Sequence, residues 1–386
     1  MTTHRPGTEH GNVWPHPGIV PTFSGRPGMQ MCVPRLDTRT SESHRQVDVQ
    51  LPGWIVTRAR SGRPDQELAS RPPPWQDAHL HSPVTPGGRP RGSNSSPGRL
   101  LQTDRMRIET ATEPGSPGRP NEDFAAVAMP ASGGGGSLVL LDGVTPPDGP
   151  TGCRHDVPWY VAHLGGSMIE LSVSPTAPSL AQCLAEAVLR TADAHRGTCD
   201  LYHRRTPQAT VVAVRWNADT VEHLVLSDSV LLIEDTAGQV GAVRDDRLDR
   251  LPAPVTALRA AVRALPRGTA ARAEAAAEYG RAVEALRNAE GGFFTAAADP
   301  AVADRAVTGT RPRSRVRAVA ALTDGAARLV EVFHEQDWQG AFTLLRKAGP
   351  EELLRRVRAA EAADPDGTRF PRGKVRDDAT AVLAQW

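Results

Sequence analysis

The run Leu138-Val139-Leu140-Leu141 ends in Asp142-Gly143. Four apolar residues in a row read as a short buried strand. A carboxylate at its end is not there for packing, because burying an unpaired charge is costly. Asp142 is therefore expected at the mouth of a sheet, paired with something positive, with Gly143 allowing a sharp turn or a close approach. The same grammar recurs. Val316 to Leu322 ends in Thr323-Asp324-Gly325, Arg376-Asp377-Asp378-Ala379-Thr380 precedes Ala381-Val382-Leu383, and Asn121-Glu122-Asp123 precedes Phe124 to Met129. Acids at the ends of four strand-like runs, drawn together from distant segments, are the usual way to hold hard divalent cations with oxygen ligands.

The elements that must position these acids begin at residue 106. Residues 106–112 alternate like a strand, and Phe124–Met129 reads as a second. A glycine-rich turn at 133–136 leads into the Leu138 strand. Helices are expected over about 157–172 and 179–196, the second capped by Ser179 and carrying Leu180, Cys183, Leu184, Ala187 and Val188 on one face. Ala209–Trp216, Val221–Leu226 and Val230–Ile233 suggest an antiparallel meander. Residues 254–289 read as helix, with an exposed, salt-bridged face over 268–289. Phe293-Phe294 opens another strand, and a strand signal returns over Ala301–Val307 and Arg315–Leu322. Helical segments follow at 326–334, 338–347 and 350–363, then a closing strand at 378–385. Consecutive strands with helices inserted in pairs predict two packed antiparallel sheets flanked by helices.

Residues 1–105 have a different texture. They hold fifteen of the 34 prolines, with Pro72-Pro73-Pro74 and Gly92-Ser93-Asn94-Ser95-Ser96-Pro97-Gly98 as linker chemistry. Their apolar residues are too few to offset the entropy of ordering, so a long disordered segment is expected. Because Met106 opens the first regular stretch, a mis-called start upstream of it is the other reading. The formal charge of +1 gives no global field for nucleic acid. The basic residues are almost all arginine, with Lys347 and Lys374 the two lysines. Cys32, Cys153, Cys183 and Cys199 form no Cys-x-x-Cys pair, which argues against a zinc site or a disulfide framework. No apolar run reaches the roughly 20 residues of a membrane span, and no signal peptide is visible. A cytoplasmic protein that binds neither membrane nor nucleic acid is the resulting expectation.

Taken together, Asn121-Glu122-Asp123, Asp142-Gly143, Ser227-Asp228-Ser229, Thr323-Asp324-Gly325 and Asp377-Asp378-x-Thr380 resemble, in order and spacing, the metal-dependent protein phosphatases of type 2C. The resemblance covers about 106–386. It implies an α+β fold, a four-layer α-β-β-α sandwich of two antiparallel sheets flanked by helices. It also implies two Mg²⁺ or Mn²⁺ ions at one end of the sheets, and hydrolysis of phosphoserine or phosphothreonine on a phosphorylated protein partner. Residue by residue, Asp142 resembles the carboxylate that bridges both metals, and Gly143 a backbone-carbonyl ligand. Asp324 and Asp377 resemble terminal ligands, and Asp123 an outer-sphere acid holding metal-bound water. Arg119 resembles the arginine that grips the substrate phosphate. Glu122, Asp228 and Asp378 are further candidates.

The sequence also departs from that pattern. Val144-Thr145-Pro146 stands where the family carries a glycine- and histidine-rich extension, which removes the usual general-acid histidine; His155 is the substitute in reach along the chain. The Gly-Asp-Ser motif reads Ser227-Asp228-Ser229. These changes keep a second reading open: a phosphatase-like module that binds phosphorylated partners with weak or no turnover.

Overall fold

The computed structural model of the chain describes residues 106–130, 134–174 and 178–386. The expected disorder of 1–105 lies outside the described residues. Ten strands form two five-stranded sheets. One has the order β1-β10-β9-β6-β7, from Arg107–Glu113, Ala379–Gln385, Val316–Leu322, Val230–Asp235 and Val240–Val243. The other is β2-β3-β4-β5-β8, from Phe124–Ala128, Gly136–Gly143, Ala209–Trp216, Thr220–Leu226 and Val307–Pro312. Every pairing is antiparallel.

The alternation of side chains along each strand explains the layering. In β3, Leu138 and Leu140 point between the sheets, where they meet Val212, Leu231, Ile233, Val319 and Val382. Val139 and Leu141 point the other way, onto α1 (Val157–Val173) and α2 (Leu180–His195). On the far sheet, Leu232, Ala320, Leu322 and Leu383 face α5 (Asp324–Glu331) and α6 (Trp338–Ala363). The central strands are thus covered on both faces and read as apolar runs, while the edge strands β1 and β8 are polar and partly exposed. The four layers are helix, sheet, sheet, helix, as expected. Among the described residues no helix is long and apolar enough to cross a membrane.

Local signals set the element ends. Ser179 and Gln182 form the capping box that starts α2. Asp156 caps α1 through the Trp159 N–H, with Pro158 in the first turn. Gly349 at φ 83°, followed by Pro350, kinks α6 and divides it as the two expected segments divide.

The structure corrects four details. The expected meander stops after two strands: β4 and β5 pair, but β6 joins the other sheet. Ser227, at φ 69°, turns the chain between them. The single helix expected over 254–289 is two, α3 (Ala253–Ala264) and α4 (Ala270–Leu286). Phe293-Phe294 makes only an isolated bridge, from Phe293 to Arg287, rather than a strand. Residues Pro300–Arg305 form a 3-10 turn, and the strand begins after it at Val307.

Candidate active site

Antiparallel pairing brings the acids together. Leu141 pairs with Phe124, and Asp142 with Thr210, so the end of β3 lies beside the starts of β2 and β4. In the other sheet Leu322 lies opposite both Ala381 and Val230, so the end of β9 lies beside the starts of β10 and β6. Asp123, Asp142, Asp228, Asp324 and Asp377 all fall at this one end. A cleft of about 360 Å³ is lined by Asp142, Gly143, Asp228, Asp324 and Asp377, among others. The Asp324 N–H donates to Asp142 Oδ2 at 3.4 Å.

The flanking motif residues hold these acids in place. Thr380 and Thr323 donate their hydroxyls to Asp123 Oδ2 at 2.7 and 3.1 Å. Asn121 accepts from the Asp123 N–H at 2.9 Å and donates to Thr112. Asp123 Oδ1 is left buried with no partner among the described residues. Asp378 is taken up by the backbone: its two oxygens accept from Gly115 N and Glu122 N, both at 2.7 Å. It therefore clamps the 115–122 loop rather than facing the cleft. Glu122 accepts from the Thr145 hydroxyl. Gly143 is required sterically, since a Cβ there would strike Val157 and the Glu122 carbonyl. At Gly325 a Cβ would strike the Asp378 carbonyl.

The electrostatics are those of a crowd of carboxylates. Burial pushes Asp142 well above the usual carboxylate range, and Asp324, Asp123, Asp228 and Asp377 push it further. Burial likewise raises Asp123 against the two threonine hydroxyls that oppose it, and Asp378 and Asp324 add to the rise. Asp324 and Asp228 are raised in the same way, burial first. Among the described residues no side-chain cation is paired with Asp123, Asp142, Asp228 or Asp324. Asp377 differs, because Lys374 holds Oδ1 at 2.7 Å and Arg328 holds Oδ2 at 2.9 Å. Burial raises Asp377 first and Asp324 raises it further, while these two cations oppose the rise.

Arg119 lies in an adjoining cleft of about 560 Å³ that shares Thr145, Lys374 and Asp377 with the first. Arg259 and Arg287, from and just beyond the α3–α4 pair, line the acid cleft itself. Burial lowers Arg287, which Asp228 and Glu284 counter, and its Nε is buried without a hydrogen-bond partner among the described residues. Sequence reasoning missed Arg287, Arg328 and Lys374 as parts of this site, and it gave no role to Thr323 and Thr380, which stand in the quoted motifs. One signal was available: a lysine among so many arginines, three residues before Asp377.

Two strand-end layers of acids, framed by two sheets and two helix pairs, complete the comparison with the resemblance drawn above. The fold is a four-layer α-β-β-α sandwich, the architecture that the resemblance implies. No protein-family model and no curated protein matches the sequence. Among solved structures, the serine/threonine phosphatase Stp1 from Staphylococcus aureus is similar at TM-score 0.46 and 12% identity, over 73% of this chain and 95% of that one. PstP/Ppp from Mycobacterium tuberculosis is similar at 0.43 and 14%, over 72% and 98%. Serine-threonine phosphatase 2C from Toxoplasma gondii is similar at 0.42 and 11%, over 72% and 94%. What this chain does is decided by its own site, since one fold hosts many activities.

His155 is not part of the acid site. Its ring lies 3.9 Å from Trp159 in a stack, and its Nδ1 faces Cys199 and Cys153. The proline-rich loop after Gly143 carries it to the start of α1, and it lines neither cleft.

Proposed function

We propose that the chain hydrolyses phosphomonoesters in a metal-dependent manner, with phosphoserine or phosphothreonine of a protein as substrate. The observation that carries this reading is the set of oxygen donors at one sheet end: four carboxylates without a paired side-chain cation, and a buried Asp123 Oδ1 without a hydrogen-bond partner, among the described residues. Carboxylates so crowded fit hard divalent cations such as Mg²⁺ or Mn²⁺. Asp142, Asp324 and Asp377, with the Gly143 carbonyl, are the residues that would hold them. When bound, a metal pair supplies an activated water and neutralises charge on the phosphate.

The chain's own residues do the rest. Thr323 and Thr380 fix the Asp123 carboxylate so that one oxygen stays free to accept a proton or orient a water. Arg119 approaches the substrate phosphate from the adjoining cleft and Arg287 from the acid cleft, each with the planar fork that suits phosphate oxygens. Lys374, lodged between the clefts, adds a third positive group. No side-chain nucleophile is required.

The second reading, a phosphate-binding module with little turnover, draws support from Asp377. Both its oxygens are already engaged by cations, and His155 offers no general acid. The deciding experiment is hydrolysis of an aryl phosphate and of phosphoserine peptides by the full chain, with Mn²⁺ titrated to millimolar. Metal-dependent turnover is expected. Phosphopeptide binding without turnover at any Mn²⁺ concentration would favour the binding module.

A further inference from the structure

The lack of a Cys-x-x-Cys pair spoke against zinc, but the fold assembles a quartet from two shorter signals, Cys153-x-His155 and His195-x-x-x-Cys199. One potential ligand atom from each of the four residues lies within 4.8 Å of all the others. Among the described residues this is the one group of metal-ligand atoms so tightly drawn; the carboxylates of the acid cleft are spread more widely.

The sulfur-to-nitrogen spacings are those of a tetrahedral site, and the two sulfurs lie somewhat closer together than its edge. Zinc bonds of about 2.3 Å to sulfur and about 2.0–2.1 Å to nitrogen put S···N edges at roughly 3.5 Å and the S···S edge at roughly 3.8 Å. Here Cys153 Sγ lies 3.4 Å from His195 Nδ1 and 3.7 Å from His155 Nδ1. Cys199 Sγ lies 3.5 Å from His155 Nδ1 and 3.2 Å from Cys153 Sγ. Backbone donors reach both sulfurs: Cys199 Sγ accepts from the Arg154 N–H, and Cys153 Sγ from the His155 N–H. His195 is 2% exposed, and its Nε2 has no partner among the described residues. The polar contacts of that buried ring are thus with a thiol, which is too weak a partner to justify its burial. Trp159 stacks on His155 and lies against His195, fixing both rings.

We propose that Cys153, His155, His195 and Cys199 bind one zinc ion as a structural site. Two sulfurs and two imidazoles select zinc over the hard cations suited to the acid cleft. Four protein ligands close the coordination sphere and leave no open position for chemistry. The ion ties the loop after β3 to the C-terminal end of α2, just ahead of the Asp156 cap of α1. That loop also carries Thr145, which touches Glu122 and Lys374 beside the acids. This inference stands on the quartet alone and does not depend on phosphatase activity.

The test is elemental analysis of the full chain purified under reducing conditions without chelator. One zinc per chain is expected, and Cys153→Ser and Cys199→Ser should each lose it and melt several degrees lower. Cobalt substitution gives a second readout that needs no variant of the quartet. Thiolate-to-metal charge-transfer bands with intense tetrahedral visible bands are expected, and they should persist in Asp142→Asn, which separates this site from the acid cleft. Reduced wild-type protein that takes up no stoichiometric zinc or cobalt would overturn the proposal. So would a Cys153–Cys199 disulfide in protein whose reduced form binds no metal.

Discussion

Replacing Asp142 by Asn should reverse the order of stability of two proteins on adding metal. Asp142 faces Asp324, Asp123, Asp228 and Asp377, and among the described residues no side-chain cation is paired with it. A like charge about 4 Å away costs about 1 kcal/mol even at the dielectric of water, and more inside a cleft. In EDTA the Asn variant should therefore melt above wild type, by about 2–4 °C for each kcal/mol relieved. With Mn²⁺ at about 100 times Kd, wild type gains about 2.7 kcal/mol by mass action, or roughly 5–10 °C. On the proposed reading the variant lacks one of the carboxylates that would hold the cations and should gain almost nothing, so the order inverts. Turnover of an aryl phosphate should fall with it by orders of magnitude, since a metal contributes several kcal/mol to the transition state and each ~1.4 kcal/mol is tenfold. Differential scanning fluorimetry on both proteins, treated alike, cancels anything EDTA does at the Cys/His quartet. Equal upward shifts with Mn²⁺, or an Asn variant that melts below wild type in EDTA, would refute the reasoning.

Other outcomes follow from the same geometry. Arg119→Ala and Arg287→Ala should each raise KM more than they lower kcat and leave the Mn²⁺-induced melting shift intact; steady-state kinetics beside fluorimetry would show it. Arg328 bridges Asp377 and Glu361 with its side chain 5% exposed and that of Glu361 fully buried. Arg328→Met should cost about 3–5 kcal/mol in urea unfolding, because one partner of a buried pair is left behind. The pH dependence should also be inverted. Burial raises Glu331 to about 7, and burial with mutual repulsion raises Asp142 and Asp123. The folded state then holds protons that the unfolded state releases, so metal-free stability should rise as pH falls from about 7 towards about 4.5. Urea melts that weaken over that descent would contradict this. The carboxylates held low, Asp364 by Arg372 and nearby backbone N–H groups and Glu352 by Arg355 and Arg356, act only below that window.

The acids were legible in the sequence because each follows or precedes an apolar run, and a strand end is where antiparallel pairing delivers a side chain to one edge. Asp123, Asp142, Asp324 and Asp377 needed only that local pattern, and the layered fold followed from runs too apolar to face water. Which sheet a strand joins is not a local property. β6 has the same apolar character as β5, and its crossing at Ser227 is decided by what covers each face. Long-range ion pairs were equally hidden. Arg328 lies 49 residues from Asp377, and no periodicity connects them. Asp378 looked like its neighbour Asp377, yet the backbone N–H groups of the 115–122 loop claim it. The Cys/His quartet shows the limit most clearly. Its two halves are separated by α1 and nearly all of α2, and neither half alone is the Cys-x-x-Cys pair that marks a zinc site in sequence. Only the antiparallel return of α2 along α1 brings His195 and Cys199 back to Cys153 and His155, so a site absent from the local pattern is created by the packing of two helices.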